Sequence, residues 1–459
     1  MTKPSLYWAP WAWLPQGWCP QVLMAVDAQG RWADIHTHTA APPDAMRLDV
    51  PVLPGLVNAH SHAFQRAFAG LAERRDSAED DFWSWRDRMY RVAGAITPDE
   101  LRTIATQLYG ELLQSGYTQV CEFHYVQHQP DGRPYGEAQG GPLAMGQALI
   151  DAAAEVGMGL TLLPVLYERA GFAQPALRPD QARFHLDADA VWARCEAVNR
   201  QGHATLNAGV AIHSLRAARA ESVQRLRALT EGWQGPIHIH VAEQQAEVRD
   251  CLAHTGLRPV QWLAAHAGLD PRWHLVHATH VTAQEIAAVG QAGAQVVICP
   301  STEANLGDGL TDMAGWLGSG AGLSIGSDSH VTRCWREELR WLEYGQRLQH
   351  QQRNVLAAPP TQGATAERLW RAALSAGAHA AGLAQWGLVP GARADLLVPD
   401  PSDPALAGIP PQRLLDACVF SSPTRPFSRV MVAGRWVVQN GQAKPGGQAY
   451  RELMQRLWG

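Results

Sequence analysis

The sequence predicts an α/β fold: a (β/α)8 barrel with a small β-sandwich domain built from both ends of the chain. From about residue 53 to about residue 383, short apolar runs alternate with longer amphipathic stretches, the pattern of repeated βα units. Eight runs have the length of a strand, and eight units in about 330 residues favour a closed barrel over an open sheet. No Gly-x-Gly-x-x-Gly follows any of the eight, which disfavours a dinucleotide-binding fold.

Helical stretches separate most of the predicted strands. The predicted strands are residues 52–60, 118–123, 160–166, 206–213, 237–241, 274–278, 295–298 and 323–326. The predicted helices include residues 99–115, 144–156, 220–230, 245–254 and 282–292.

Both ends of the chain differ from the middle, because they carry only short β-like pieces. The clearest of these are residues 22–26, 395–398 and 430–438. We therefore expect residues 1–50 and 385–459 to form one discontinuous β domain. Residues 51–384 would then form an uninterrupted catalytic barrel.

Composition and charge exclude several classes of function. The 459 residues are 46% apolar and 18% charged, which is typical of a globular chain, and the formal charge is −5. Such a chain has no basic field for a nucleic-acid backbone, and it has no run of 18 apolar residues to span a membrane. The only two lysines, Lys3 and Lys444, stand at the chain ends, so a P-loop lysine, an internal Schiff-base lysine and a carboxylated lysine bridging two metals are all excluded.

The cysteines indicate a reducing compartment. There are seven of them, widely scattered and without a Cys-x-x-Cys pair, so neither a disulfide framework nor a thiolate zinc site is expected. Pro10 and Pro15 interrupt the N-terminal segment before a signal-peptide core can form. We therefore expect a cytoplasmic protein.

Two histidines stand at the end of the first predicted strand. His60 and His62 end the segment PGLVNAHSH at residues 54–62. On a strand, residues i and i+2 face the same side, so both imidazoles point to one place at the C-terminal mouth of a barrel.

Three further strand ends carry polar groups suited to a metal centre. The fifth strand contributes His240, with Glu243 three residues beyond it, the sixth contributes His277 and the eighth contributes Asp328. These residues meet only if the barrel closes. Three neutral imidazoles and one carboxylate then form a site for one divalent cation, with a position left for water. The predicted ligands are His60, His62, His240 and Asp328.

The other histidines are expected to have structural or supporting roles. His238 lies deeper in the fifth strand and is predicted to be a core residue, while His274 and His280 would support the site or the fold. The histidines predicted to lie on the surface of helices are His254, His266, His350 and His379. A second His-x-His pair, His36 and His38, follows a hairpin-like turn near the N-terminus and is expected to be non-catalytic.

These motifs together resemble the amidohydrolase superfamily over nearly the whole chain. The matching segments are residues 54–62, 240–243, 275–280, 324–330 and 387–396. The absence of a central lysine resembles the mononuclear branch, whose members commonly deaminate C=N carbons. The resemblance implies one divalent cation per chain, expected to be Zn²⁺ although the donor set also accommodates Fe²⁺ or Mn²⁺, and a homodimer.

Within that branch, the sequence resembles the formimidoylglutamate deiminase family, which hydrolyses N-formimino-L-glutamate to N-formyl-L-glutamate and ammonia in histidine degradation. The matching segments are residues 62–66, 82–90, 122–125 and 212–216. A dicarboxylate substrate needs cationic forks, and arginine binds carboxylates through two hydrogen bonds. The resemblance assigns substrate binding to Gln65, Arg86, Tyr125, His213 and Arg216.

Alternatives to this interpretation remain at the level of the sequence. Arg86 could instead stack on Trp83 or Trp85, and Arg216 could cap a helix or form a surface ion pair. A related hydrolase acting on guanine, cytosine or a triazine would use the same metal ligands. A non-catalytic barrel that serves as an interaction scaffold would be expected to have lost some of those ligands.

The expected mechanism assigns proton transfer to residues beside the cation, which makes hydroxide available near neutral pH. Asp328 accepts a proton from water, and Glu243 protonates or hydrogen-bonds the imine nitrogen while hydroxide attacks the formimino carbon. His277 orients the hydroxide or stabilises the tetrahedral intermediate, with metal ligation as its alternative role.

Overall fold

The computed structural model describes residues 4–73, 82–444 and 447–459. Their strands are β1 (Ser5–Leu14), β2 (Gly17–Val26), β3 (Trp32–His36), β4 (Met46–Arg47), β5 (Leu56–Ser61), β6 (Tyr117–His124), β7 (Gly159–Leu166), β8 (Leu206–Ala208), β9 (Val210–Ile212), β10 (Ile237–Val241), β11 (Trp273–His277), β12 (Gln295–Ile298), β13 (Gly322–Ile325), β14 (Leu396–Pro399), β15 (Phe427–Val432), β16 (Arg435–Gln439) and β17 (Gln442–Ala443). Their helices are α1 (Phe82–Ala95), α2 (Pro98–Gln114), α3 (Ala144–Val156), α4 (Ala188–Asn199), α5 (Ala220–Leu229), α6 (Gln245–Thr255), α7 (Pro259–His266), α8 (Ala283–Gln291), α9 (Pro300–Leu306), α10 (Met313–Gly318), α11 (Trp335–His350), α12 (Thr365–Ala380), α13 (Leu414–Phe420) and α14 (Gly447–Trp458).

The predicted eight-stranded parallel barrel is confirmed. Its strands lie in the order β5, β6, β7, β9, β10, β11, β12 and β13, and β8 also pairs with β7. Strands β8 and β9 together take the fourth position, where the sequence predicted one strand over residues 206–213. The strand is interrupted at Gly209. A Cβ atom on this residue would lie 2.7 Å from both the Leu163 side chain and the Pro236 carbonyl oxygen. Glycine is therefore required at this close approach of two backbones.

The first and last strands meet at the residues predicted to bind metal. A parallel bridge joins Ser61 to Asp328. The backbone N–H of Asp328 donates to the carbonyl of His60 at 3.0 Å, and the N–H of His62 donates to the carbonyl of Asp328 at 3.3 Å. Closure of the barrel therefore fixes the carboxylate of the last strand beside the two histidines of the first.

The predicted strand positions agree with the structure to within a residue at most ends. Strands β10 and β12 have the predicted bounds, and β5 is the main exception, because it begins at Leu56 rather than at Val52. Val52 and Leu53 pair outside the barrel instead, with Ala12 and Leu397 respectively. The apolar run therefore begins before the barrel strand, because the first residues of the run pair with the β sheets formed by the chain ends.

The two ends of the chain form two four-stranded sheets beside the barrel. Their orders are β3-β2-β1-β4 and β14-β15-β16-β17. One hydrophobic core contains buried residues from both ends, among them Trp32, Leu48, Leu396 and Met431. This shared core agrees with the expected β unit, whose limits at residues 50 and 385 stay a prediction. Among the described residues, no helix is long and apolar enough to cross a membrane.

Candidate metal centre and active site

The four predicted ligands converge at the C-terminal mouth of the barrel. The Nε2 atom of His60 lies 3.1 Å from Nε2 of His62 and 3.0 Å from Nε2 of His240. The Oδ1 atom of Asp328 lies 3.5 Å from Nε2 of His60 and 3.3 Å from Nε2 of His62. All four side chains are buried.

Four distances within this donor set are close to those of a tetrahedral cation site. Donor atoms that all lie within 4.8 Å of one another form two sets that share His60: one with His62 and His240, the other with His277 and Asp328. Nitrogen and oxygen ligands lie about 2.0 to 2.2 Å from Zn²⁺, so neighbouring ligand atoms of a tetrahedron are separated by about 3.3 to 3.6 Å. The four measured separations run from 3.0 to 3.5 Å. The donor set therefore has the size and the chemistry of a site for one divalent cation.

The imidazoles are held in the state that binds metal. Burial lowers the pKa of His60 to about 3, and it also lowers the pKa values of His62 and His240, so all three rings are neutral near pH 7. The Nδ1 atom of His62 donates to the carbonyl of Phe123 at 2.9 Å, which leaves Nε2 with a lone pair facing the site.

The three residues predicted to move protons surround the same point. The Nε2 atom of His277 lies 3.8 Å from Oε1 of Glu243 and 3.7 Å from Oδ2 of Asp328. On the other side of its ring, Nδ1 lies 3.3 Å from Oε1 of Glu303. The donor atoms of His60, His277 and Asp328 also lie within 4.8 Å of one another, so both roles predicted for His277 remain compatible with the geometry.

Burial and the neighbouring charges set opposite pKa shifts in this cluster. Burial raises the pKa of Glu243 to about 7, although the nearby His277 opposes the shift. Burial lowers the pKa of His277, but the carboxylates of Glu243, Glu303 and Asp328 outweigh that effect and raise it to about 10. Burial alone would raise the pKa of Asp328, yet its hydrogen bond with His60 and the surrounding histidines hold it below its usual range. The site thus contains an acid that titrates near neutral pH beside one that stays ionised.

Strained backbone is concentrated at these strand ends. Ala242, His277, Ala278, Asp328 and His330 all have φ between 44° and 69°, in the left-handed region that residues with a Cβ atom rarely adopt. Such strain persists where the surrounding structure holds it, and it is typical of functional sites. The turns after β10, β11 and β13 therefore have strained backbone conformations that place their side chains at the site.

The five predicted substrate residues line one small cavity together with the metal ligands. This inner pocket has a volume of about 60 Å³. The predicted site residues that line it are Gln65, Arg86, Tyr125, His213, Arg216, Glu243, His277, Asp328, His62 and His240. The remaining predicted residue, His60, is fully buried beneath them. The tertiary structure thus brings every predicted site residue to one place.

Several of these side chains are already ordered by their neighbours. Gln65 Nε2 donates to the hydroxyl of Tyr125 at 3.3 Å, and the His213 ring lies 5.2 Å from the His240 ring. The guanidinium of Arg86 lies 5.5 Å from the ring centre of Tyr90, while the side chain of Trp83 is outside the described residues. Arg86 thus contacts Tyr90, which the sequence did not predict, and it still borders the pocket, while stacking on Trp83 or Trp85 stays a prediction.

Two arginines line both the inner pocket and a larger outer cavity. Arg86 and Arg216 border the inner pocket and also an outer cavity of about 460 Å³ whose other walls include Phe172, Arg178 and His254. Two positively charged side chains are thus shared by the walls of both cavities.

Sequence reasoning missed residues that line or support the site, most of them on the helices α1, α6 and α9. The further residues lining the inner pocket are Trp85, Met89, Tyr90, Ser214, Glu247 and Leu306. Behind His277, Glu303 lies in the first turn of α9, directly after β12. A carboxylate just beyond a barrel strand, as in Glu243, Glu247 and Glu303, is the signal that would have found the acids. The apolar residues carry no such signal.

The other histidines lie where the sequence predicted. His238 is fully buried, and its Nε2 donates to the carbonyl of Ala380 at 2.8 Å. His274 is also fully buried and stacks on His238, with ring centres 4.7 Å apart. His36 and His38 are exposed in the N-terminal sheet region, away from the metal centre. The four helical histidines are exposed as well: His254, His266, His350 and His379.

Comparison with known proteins agrees with this geometry. The model of the amidohydrolase family matches residues 52–437. The chain belongs to the amidohydrolase family. This membership confirms the resemblance seen in the strand-end motifs.

Individual relatives cover almost the entire chain. A formimidoylglutamate deiminase from Pseudomonas aeruginosa is 45% identical over 460 residues, which span 99% of each protein. An 8-oxoguanine deaminase from the same species is 28% identical over 87% of this chain and 86% of its own length. Among solved structures, an amidohydrolase from Brucella melitensis has a TM-score of 0.93 at 39% identity, covering 99% of this chain and all of the other. A zinc-bound adenosine deaminase from Xanthomonas campestris, at 20% identity and a TM-score of 0.79, shares the fold.

Proposed function

We propose that this enzyme is a metal-dependent deiminase that hydrolyses N-formimino-L-glutamate to N-formyl-L-glutamate and ammonia. The observation that carries the proposal is the presence of Arg86 and Arg216 in the same pocket as the histidine-rich metal centre. Two guanidinium groups match the two carboxylates of this substrate. The 45% identity to a formimidoylglutamate deiminase over the full length supports the same substrate.

The metal centre would be built by His60, His62, His240 and Asp328. A divalent cation held there lowers the pKa of water and supplies hydroxide near neutral pH. We expect Zn²⁺, although three nitrogens and one oxygen also suit Fe²⁺ and Mn²⁺. Metal analysis of the purified protein tests the identity and the expected ratio of one ion per chain.

The acidic residues around His277 would move the protons of the reaction. Asp328, held ionised by its histidine neighbours, accepts a proton from the attacking water. Glu243, whose pKa is raised to about 7, donates a proton to the imine nitrogen as the C=N bond opens. His277 faces both carboxylates and orients the attacking oxygen, or alternatively serves as a ligand. The proton that Asp328 gained then passes to the leaving nitrogen, the C–N bond breaks to release ammonia, and the hydroxyl proton of the intermediate returns to Glu243 as the C=O bond forms.

The polar groups of the inner pocket would hold the rest of the substrate. Arg86 and Arg216 bind the carboxylates, while the Tyr125 hydroxyl and the His213 ring provide hydrogen-bonding groups beside them. Among the described residues, Oε1 of Gln65 has no hydrogen-bond partner although it is buried. An acceptor in this position suits the N–H of the formimino group.

Deamination of a heterocycle is the competing activity, because the chain is also similar to an 8-oxoguanine deaminase, at 28% identity. A flat neutral ring offers no carboxylate to the two arginines that line the pocket, which disfavours it. Ammonia release from N-formimino-L-glutamate, N-formimino-L-aspartate, guanine and cytosine by metal-loaded protein distinguishes the activities. Turnover of guanine or cytosine without turnover of the glutamate compound would overturn the substrate assignment. Protein without metal or activity on any of the four would favour a scaffold.

We also propose that the protein works as a homodimer in the cytoplasm. All seven cysteines are free thiols, as expected in a reducing compartment. Mass measurement by light scattering tests the dimer, and fractionation of the native cell tests the compartment. A monomeric mass, or recovery outside the cytoplasm, would contradict the respective statement.

A further inference from the structure

The carboxylate of Glu247 receives both backbone N–H groups of the turn that carries Glu243. Its Oε1 accepts from the N–H of Ala242 at 3.1 Å, and its Oε2 accepts from the N–H of Glu243 at 3.1 Å. Glu247 lies in the first turn of α6 and is only 6% exposed. A single buried side chain thus accepts hydrogen bonds from two consecutive backbone N–H groups beside the metal centre.

These two hydrogen bonds stabilise a turn whose backbone is strained. Ala242 has φ of 52°, a left-handed conformation that costs a residue with a Cβ atom free energy. The carbonyl of Ala242 accepts from the N–H of His280 at 3.0 Å, and Gln244 hydrogen-bonds Asp308, so neighbouring loops hold the turn from outside. Glu247 holds it from the pocket side, where Glu243 must point.

We propose that Glu247 is a positioning residue that aims the Glu243 carboxylate at the imine nitrogen of the substrate. This inference rests on the acid role proposed for Glu243. An ionised carboxylate is an acceptor only and satisfies both N–H groups, whereas a glutamine offers one acceptor and turns an N–H donor towards the other. The substitution Glu247→Gln therefore loosens the turn while leaving the volume of the side chain almost unchanged.

A second role for Glu247 is open on the same structure, because Arg216 borders the same pocket. Burial raises the pKa of Glu247, and the charge of Arg216 opposes that shift, so the two groups interact electrostatically. If Glu247 acted mainly by placing Arg216, its loss would weaken substrate binding. If it acts through Glu243, its loss slows the chemical step. Whether the substitution changes KM or kcat therefore distinguishes the role through Arg216 from the role through Glu243.

We expect Glu247→Gln to lower kcat about 10- to 100-fold, the usual effect of losing a group that orients a reacting residue, with KM and bound metal unchanged. The chain provides a matched control in Glu343, a fully buried carboxylate whose two oxygens accept from the N–H groups of Val355 and Leu356 at 3.1 and 3.0 Å. Glu343→Gln removes the same kind of contact away from the pocket, together with the charge that pairs with Arg347 at 2.6 Å. It should lower the melting temperature without changing kcat. An unchanged kcat in Glu247→Gln, or a rise in KM alone, would overturn the proposal.

A double-substitution cycle tests whether the effect runs through Glu243. In a Glu243→Gln background, adding Glu247→Gln should cause no further loss of kcat, because the group being aimed is already absent. An additional loss of the same 10- to 100-fold would show that Glu247 acts by another route. If Glu243→Gln itself keeps the activity of the unaltered enzyme, the role proposed for Glu243 fails first, and the two failures are therefore distinguishable.

Discussion

Replacing Arg216 with methionine removes one guanidinium from the pocket and keeps most of the apolar stem. Arg216 is half-buried and borders both the inner pocket and the outer cavity, so a carboxylate bound to it on the side of the inner pocket would be partly shielded from water. Removing one partner from a buried, hydrogen-bonded charge pair costs about 2 to 5 kcal/mol. Since 1.4 kcal/mol is a factor of ten, kcat/KM should fall about 30- to 4,000-fold. Because the carboxylate is held equally in the ground and transition states, most of the loss should appear in KM.

The assay compares three substrates with each enzyme: N-formimino-L-glutamate, its side-chain amide and its α-amide. The unaltered enzyme should lose activity on both amides. Arg216→Met should lose no further activity on the one amide that lacks the carboxylate bound by Arg216. Arg225→Met is the control, because Arg225 pairs with Asp189 on the surface and borders neither cavity, so its loss should change kcat/KM by about twofold or less. Equal losses of Arg216→Met on all three substrates, or an unchanged KM, would refute carboxylate binding by Arg216.

Three further predictions concern the acid, the metal and the closure of the barrel. Glu243→Gln should lower kcat about 100- to 10,000-fold at unchanged metal content, measured by ammonia release, and activity near that of the unaltered enzyme would exclude it as the proton donor. Removing the metal with a chelator should lower the melting temperature and abolish turnover. Adding Zn²⁺ at about 1,000 times its dissociation constant should restore about 4 kcal/mol to the free energy of unfolding. A melting temperature that does not change with metal would argue against binding of the ion by the folded protein. Gly326→Ala should reduce metal affinity, because its Cβ would lie 2.5 Å from the Cβ of His60, whereas a Cβ on Gly318 meets nothing within 4 Å. Isothermal titration with Zn²⁺ should therefore show weaker binding for Gly326→Ala and normal binding for Gly318→Ala, and equal affinities would contradict the packing argument.

The barrel strands were predictable because each is a local signal: a short apolar run of strand length between turn and helix patterns. Strands β10 and β12 have the predicted bounds for this reason. The division of the fourth strand at Gly209 was not predictable, because it depends on the contact of that backbone with Pro236, the residue just before β10. The early residues of the first predicted run, Val52 and Leu53, were likewise assigned to the barrel although they pair with the β sheets of the chain ends.

The candidate site follows the same division. His60 and His62 share a strand face by spacing alone, and His240, His277 and Asp328 were found because they stand at strand ends. Glu247 and Glu303 were missed because each lies on a helix, where an acidic residue in the first turn usually caps the helix or faces solvent. Their contacts with the backbone of Glu243 and with the ring of His277 appear only in three dimensions.

Periodicity and residue chemistry are local properties, so the amino-acid sequence is enough to predict the alternation of strands and helices, the donor types of the metal centre and the absence of a central lysine. The folded chain is needed to see that Asp328 lies 3.3 to 3.5 Å from the first two histidines and that Arg86 and Arg216 border one pocket. Those relations depend on the closure of β13 against β5 and on loops that are far apart in the chain. Their geometry is set by the sum of many packing contacts, none of which is encoded in a single segment.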